Sequence, residues 1–201
     1  MGDGRSVTGV AADLQVRDTF FVQTPVVADL PLLARLSMRP NVPPRLPGFD
    51  YVGLHRYLLT ICTWGRRDVL RSDVVVRPIE RQLLDTALRR GFSAYAYCFM
   101  PDHLHVLLVA AQENADLLAF VRLFKQVSSF AWRRQFGPGP LWQTGFHERV
   151  VRSHEASMGV ARYILENPVR AGLTRSFQDY PFSGSAEFTL VEMAELWDRR
   201  T

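Results

Sequence analysis

The stretch Met100-Pro101-Asp102-His103-Leu104-His105-Val106-Leu107-Leu108-Val109 decides the fold of this chain. Val106 to Val109 is a short, continuous apolar run after a Pro-Asp turn signal, the pattern of a buried strand. Carrying that strand back to residue 103 puts both histidines on it. Side chains two apart on a strand share a face. His103 and His105 would therefore stand side by side, with Leu104 turned the other way. That is how a protein offers two ring nitrogens to one metal ion. Two hydrogen-bonded histidines at a strand edge would read identically, and the motif alone does not choose between them.

Upstream, Phe92 to Phe99 is aromatic-rich and strand-like, and the three-residue link to the histidine strand predicts a hairpin. Before it, residues 73–90 carry apolar positions 76, 79, 83, 84, 87 and 88. Those spacings of three and four predict an amphipathic helix, with Pro78 tolerable only in its first turn and Gly91 ending it. His55 to Thr63 predicts a first strand. Downstream, Asp116 or Asn114 caps a helix to about Phe136 with Leu117, Phe120, Val121, Phe124, Val127, Ser128 and Ala131 on one face, and Gly137-Pro138-Gly139-Pro140 stops it. Phe146 to Val151 reads as a fourth strand. A last helix starts at His154, Glu155 or Ser157 and runs to Leu165. The order β-α-β-β-α-β-α predicts an α+β fold, a ferredoxin-like βαββαβ antiparallel sheet with an additional C-terminal helix.

Composition narrows the class. With 201 residues, 47% hydrophobic and 22% charged, the chain is expected to form one globular domain. It divides into a Pro-rich arm over 1–48, with a short helix over 30–36, a domain over 49–185 and a tail over 186–201 containing a short helix. No apolar run approaches the roughly 20 residues that span a bilayer, and Met1-Gly2-Asp3-Gly4-Arg5 lacks a secretory pattern, so a cytoplasmic location is expected. Cys62 and Cys98 are read as buried free thiols. A net charge of +4 and a pI near 9.4 favour a polyanionic partner. Lys125 is the sole lysine, and arginine supplies every other basic side chain. Genome-wide arginine bias accounts for much of that.

The last helix holds a second constellation, Tyr163-Ile164-Leu165-Glu166-Asn167-Pro168-Val169-Arg170-Ala171-Gly172-Leu173. Tyr163 and Asn167, four apart, share a helix face. Alternatively Asn167 caps a new turn opened by Pro168. Read alone, Tyr163 is an ordinary core or rim tyrosine.

The His103-Leu104-His105 motif followed by Tyr163 and Asn167-Pro168 resembles the REP-associated tyrosine transposases, an IS200-like group within the HUH superfamily of single-strand transposases. Arg45 to Tyr51, Leu59 to Thr63, Leu141-Trp142-Gln143 and Asp179 to Ser183 extend the resemblance over about residues 45–185. It implies a bacterial, nucleoid-associated enzyme that nicks and rejoins single-stranded DNA beside a hairpin, without a membrane partner, as a monomer or homodimer. Carried over by position, His103 and His105 hold a divalent ion, Mg or Mn, with Asn167 as third ligand. Tyr163 is the nucleophile that forms a 5′-phosphotyrosine. DNA contacts are expected from Arg122, Lys125, Arg133, Arg134, Arg149 and Arg152, with Trp142, Phe146 and Tyr97 as stacking platforms and Arg35, Arg39 and Arg45 contributing from the arm. His147, His154 and Glu166 are secondary ligand candidates. The same residues also fit two rivals: a metal-dependent hydrolase with no covalent intermediate, and a hairpin-binding module that does not cut.

Overall fold

A computed structural model of the chain describes residues 45–198. The arm expected over 1–48, including Arg35, Arg39 and the helix over 30–36, therefore lies outside the described residues except for Arg45 to Gly48.

The histidine strand is central, as its continuous apolar run requires. Strand β1 (Arg56–Cys62) and strand β2 (Phe92–Met100) flank β3 (His103–Ala110). Both pair with it antiparallel, Thr60 and Cys98 lying opposite His105 from the two sides. Strand β4 (His147–Val150) adds to β1, and a two-residue β5 (Ser183–Gly184) adds to β2. The sheet order is β4-β1-β3-β2-β5. The βαββαβ succession is the expected one. The fifth strand is an addition, too short for its sequence to carry a period.

Alternation sorts β3 onto two faces. Leu104, Val106 and Leu108 are fully buried opposite Ile61, Leu59 and Tyr57 of β1. Helix α1 (Asp73–Arg89) and helix α2 (Leu117–Phe136) cover this side, linked to it by the Tyr57–Phe92–Phe120 ring chain. Asp116 caps α2 by accepting from the Ala119 N–H at 2.9 Å. α1 buries Val75, Val76, Ile79, Leu83, Thr86 and Ala87, whereas Leu88 is exposed. Pro78 sits in the second turn, not the first. Its missing N–H falls at the Val74 carbonyl, and Val74 is on the solvent side of the helix, so the omission is inexpensive. Each fully buried Leu or Phe contributes ~1.5–3 kcal/mol to this core.

The register of β2 shifts between Ala94 and Ala96. The extra residue there is Tyr95, whose hydroxyl donates to the Met158 sulfur. The bulge resets the alternation. Tyr97 and Phe99 consequently point with Leu104 and Val106 toward α1, where the Tyr97 hydroxyl donates to Glu80 at 2.9 Å.

Helix α3 (His154–Leu165) lies on the opposite, histidine face, capped by Ser153. A one-turn helix α4 (Asn167–Arg170) follows it. Helix α5 (Leu190–Asp198) falls within the C-terminal segment and packs Trp197 on Phe177. Cys62 and Cys98 are buried free thiols. Among the described residues, no helix is long and apolar enough to cross a membrane.

Candidate active site

His103 and His105 stand on one strand face with ring centroids 4.5 Å apart and their Nε2 atoms 3.0 Å apart. The far nitrogen of each ring is occupied. His103 Nδ1 lies 2.5 Å from Asp102 Oδ1, and His105 Nδ1 lies 2.9 Å from the Thr60 hydroxyl. A carboxylate accepts, so the His103 proton belongs on Nδ1 and its Nε2 lone pair faces His105. Two Nε2 atoms this close share one proton or one cation. Burial, reinforced by the charges of His103, Arg66 and Arg170, lowers the His105 pKa to about 3. It is therefore neutral across the physiological range, the form that ligates metal.

The loop after β1 braces this pair. Burial alone would raise the Asp102 pKa, but the hydrogen bond from His103 and the Arg66 guanidinium together hold it below its ordinary value. Arg66 donates to Asp102 Oδ2 at 3.0 Å. Reaching it requires a left-handed backbone at Gly65 (φ 63°) and at Arg66 itself (φ 55°). For a non-glycine residue that costs roughly 1–3 kcal/mol. Thr63 fixes the loop by donating its backbone N–H to the Asp102 carbonyl at 2.9 Å.

Tyr163 comes to the same face from α3, its ring 6.2 Å from that of His105, and it is 46% exposed. Just beyond it the helix is interrupted for a chemical reason. Pro168 has no N–H for the Ile164 carbonyl. Asn167 substitutes, its Nδ2 reaching the carbonyls of Tyr163 (3.0 Å) and Ile164 (3.4 Å). The capping alternative is therefore corrected: Glu166 is the N-cap of α4, Asn167 is its first residue, and the Asn167 side chain folds back onto the Tyr163 turn instead of capping. With the amide nitrogen committed, Oδ1 is the atom left to accept from solvent or ligate an ion. Glu166 is paired with Arg162 at 2.8 Å.

Among the described residues, no group of three His, Cys, Asp or Glu could hold a metal. The two imidazole Nε2 atoms converge here, and the Asn167 amide oxygen lies on the turn after Tyr163.

The expected DNA contacts divide. Arg149 and Arg152 are exposed, and Arg149 shares the histidine face, lying opposite Leu58, which is opposite Leu107. His147, opposite Thr60, is on that face too. Arg122, Arg133 and Arg134 are exposed on α2, in the layer across the sheet from the histidines. Arg133 and Arg134 line a groove there of about 480 Å³ with Gln82 and Phe130.

Five expectations are corrected. Trp142 is 5% exposed, its indole N–H donating to Ser128 at 2.8 Å and its ring against Phe124. It has no face left for a base. Tyr97 and Phe146 are buried likewise. Lys125 aims its ammonium at the carbonyls of Gln143 (2.6 Å), Thr144 (3.3 Å) and Gly145 (2.6 Å). Its three protons are spent holding that loop instead of a phosphate, and burial lowers its pKa to about 8. Arg45 is bound to Glu148 and lies over the Phe146 ring at 3.7 Å, tying the N-terminal segment to β4.

Thr60, Arg66, Asp102 and Arg170 were not singled out by the sequence. Asp102 and Arg170 lay inside the motifs, and Gly65 was the visible sign of the loop that aims Arg66.

Comparison with known proteins gives the family. The family model described as "Transposase IS200 like" matches residues 51–167. A Haemophilus influenzae protein classed with the REP-associated tyrosine transposases is 33% identical over 138 residues, covering 63% of this chain and 77% of that one. The REP-associated tyrosine transposase of Escherichia coli K12 is 28% identical over 94 residues, covering 47% and 54%. A solved REP-associated tyrosine transposase bound to a REP hairpin has the same fold, with TM-score 0.58 and 21% identity over 70% of this chain and 82% of that one. The chain belongs to the IS200-like transposases, among the REP-associated tyrosine transposases.

Proposed function

We propose that this transposase nicks and rejoins single-stranded DNA beside REP-type hairpins through a covalent bond to Tyr163. One observation carries the reading: within a single chain, the exposed Tyr163 ring lies against the ring of His105, whose Nε2 converges on that of His103. Both halves of the reaction thus belong to one subunit, and a monomer suffices. The hairpin is taken from the solved relative bound to one.

His103 and His105 through Nε2, and Asn167 through Oδ1, would hold a divalent ion, Mg or Mn. The two histidine Nε2 atoms are 3.0 Å apart, close enough that one ion could take both. When bound, the ion neutralises a non-bridging phosphate oxygen and polarises the phosphorus. The chain's residues do the rest. Asp102 and Thr60 keep the imidazoles oriented, burial keeps His105 neutral, and α3 presents the phenol in line. The Tyr163 Oη bonds to phosphorus as the bond to the 3′ oxygen breaks. That oxygen leaves with the electron pair and takes up one proton, matching the proton the phenol gives up. The strand's 5′ phosphate is now on Tyr163, and reversal by a 3′ hydroxyl rejoins DNA without ATP. Arg149 and Arg152 would follow the backbone across the histidine face.

The test is incubation with end-labelled single-stranded DNA carrying a hairpin, with Mg or Mn. A labelled species should survive denaturation, and Tyr163→Phe should abolish it. Cleavage with no such species in the wild type would instead favour a hydrolase. Hairpin binding with no cleavage would leave a binding module.

A further inference from the structure

Arg170 stands directly over the tyrosine of the candidate site. Its guanidinium lies 4.1 Å over the Tyr163 ring and donates to the Tyr163 carbonyl at 2.7 Å. The α4 turn fixes this placement, with the Arg170 N–H bonded to the Glu166 carbonyl and the Leu173 N–H to the Pro168 carbonyl. Gly172 permits the close by adopting a left-handed φ of 69°.

Its charge is not neutralised. Arg45, Arg66, Arg71, Arg77 and Arg162 each face a carboxylate. Among the described residues no carboxylate pairs with Arg170, whose partners are a carbonyl and a π face. Those contacts commit one nitrogen and one side of the plane. The remaining donors of the fork have no protein partner among the described residues, and they lie beside the Tyr163 ring, itself 6.2 Å from that of His105. Arg66, the other cation near His105, is already engaged by Asp102. An unpaired, pre-oriented guanidinium is the group that best matches a phosphate's paired oxygens.

We propose that Arg170 receives the DNA phosphate as it passes onto Tyr163, contacting its non-bridging oxygens and holding the resulting phosphotyrosine. This rests on Tyr163 as nucleophile and makes Arg170 a catalytic residue in its own right. Its contact with the ring keeps the phenol and the anion site in one geometry. Because the phosphate remains beside it after strand cleavage, Arg170 acts on nicking and rejoining alike.

The experiment compares wild type, Arg170→Gln, Arg170→Lys, Arg162→Ala and Tyr163→Phe in single-turnover adduct formation at saturating hairpin DNA. Glutamine keeps a donor for the Tyr163 carbonyl but removes the charge, so it separates a structural tie from a phosphate contact. Arg170→Gln should slow adduct formation about 10²-fold with DNA affinity nearly unchanged, and Arg170→Lys should recover part of the rate. Millimolar guanidinium should rescue Arg170→Gln and leave Tyr163→Phe inactive. Arg162→Ala, one residue from the nucleophile but paired with Glu166, should match wild type. Wild-type rates in Arg170→Gln, or a slow variant that neither lysine nor guanidinium restores, would overturn the proposal while leaving Tyr163 in place. An adduct formed by Tyr163→Phe would overturn the nucleophile itself, and Arg170's role with it.

Discussion

The two faces of strand β3 differ more than any two regions of this molecule. On one side Leu104, Val106 and Leu108 are sealed under α1 and α2 within the hydrophobic core. On the other, two residues along the same strand, His103 and His105 meet a threonine, an aspartate and a half-exposed tyrosine. The first face provides stability and the second spends a little of it on the left-handed Arg66. A single strand can do both because its side chains alternate, so neighbouring substitutions should fail in opposite ways.

The largest effect is expected at the histidines. His105→Ala should reduce nicking by on the order of 10³-fold while the thermal midpoint stays close to wild type, and a chelator should reproduce the loss in the native protein. Leu104→Ala, the intervening residue, should instead lower unfolding free energy by ~2–5 kcal/mol. Denaturant titration reads it, and whatever fraction remains folded should still nick. Asp102→Asn is intermediate, costing about 10–100-fold in activity or metal affinity through loss of His103 orientation. Isothermal titration with Mn would measure it.

The smallest effect is a pH slope. The folded His105 pKa, about 3, is below its ordinary 6.5. Between those values the unfolded chain binds the proton and the folded chain does not. Metal-free stability should therefore fall as pH drops from 6.5 toward 5, and His105→Gln should flatten that slope in denaturation curves. A slope unchanged by the substitution would mean that His105 is not held neutral by its surroundings.

The contrast between faces also explains what the sequence discloses. The helix-side core follows local periods, so α1, α2, β1 and β3 can be read to within a residue or two. The histidine pair is legible for the same reason, because i and i+2 on a strand must be neighbours. Tyr163 needs the family motif, since a tyrosine on an amphipathic helix carries no sign of its partner. The bulge at Tyr95 is hidden because an extra residue in a strand buried on both faces leaves no break in the pattern. Trp142 and Lys125 mislead for a further reason. Each sits where composition suggests a surface, a Gly-Pro-rich loop and the flank of a helix, yet each is turned inward by a distant partner, Ser128 or the carbonyls of 143–145. Only tertiary placement fixes such contacts. Arg66 and Arg170 likewise depend on backbone turns at Gly65 and Pro168 for their aim.

The most direct measurement is to trap the protein–DNA species formed with a hairpin-bearing single strand and divalent ion, digest it, and locate the modified residue by mass spectrometry. The 5′-phosphate of the cleaved strand is expected on the peptide that contains Tyr163. Its attachment to any other residue, or complete cleavage with every tyrosine unmodified, would contradict the assignment of the histidine face as a covalent DNA-nicking site.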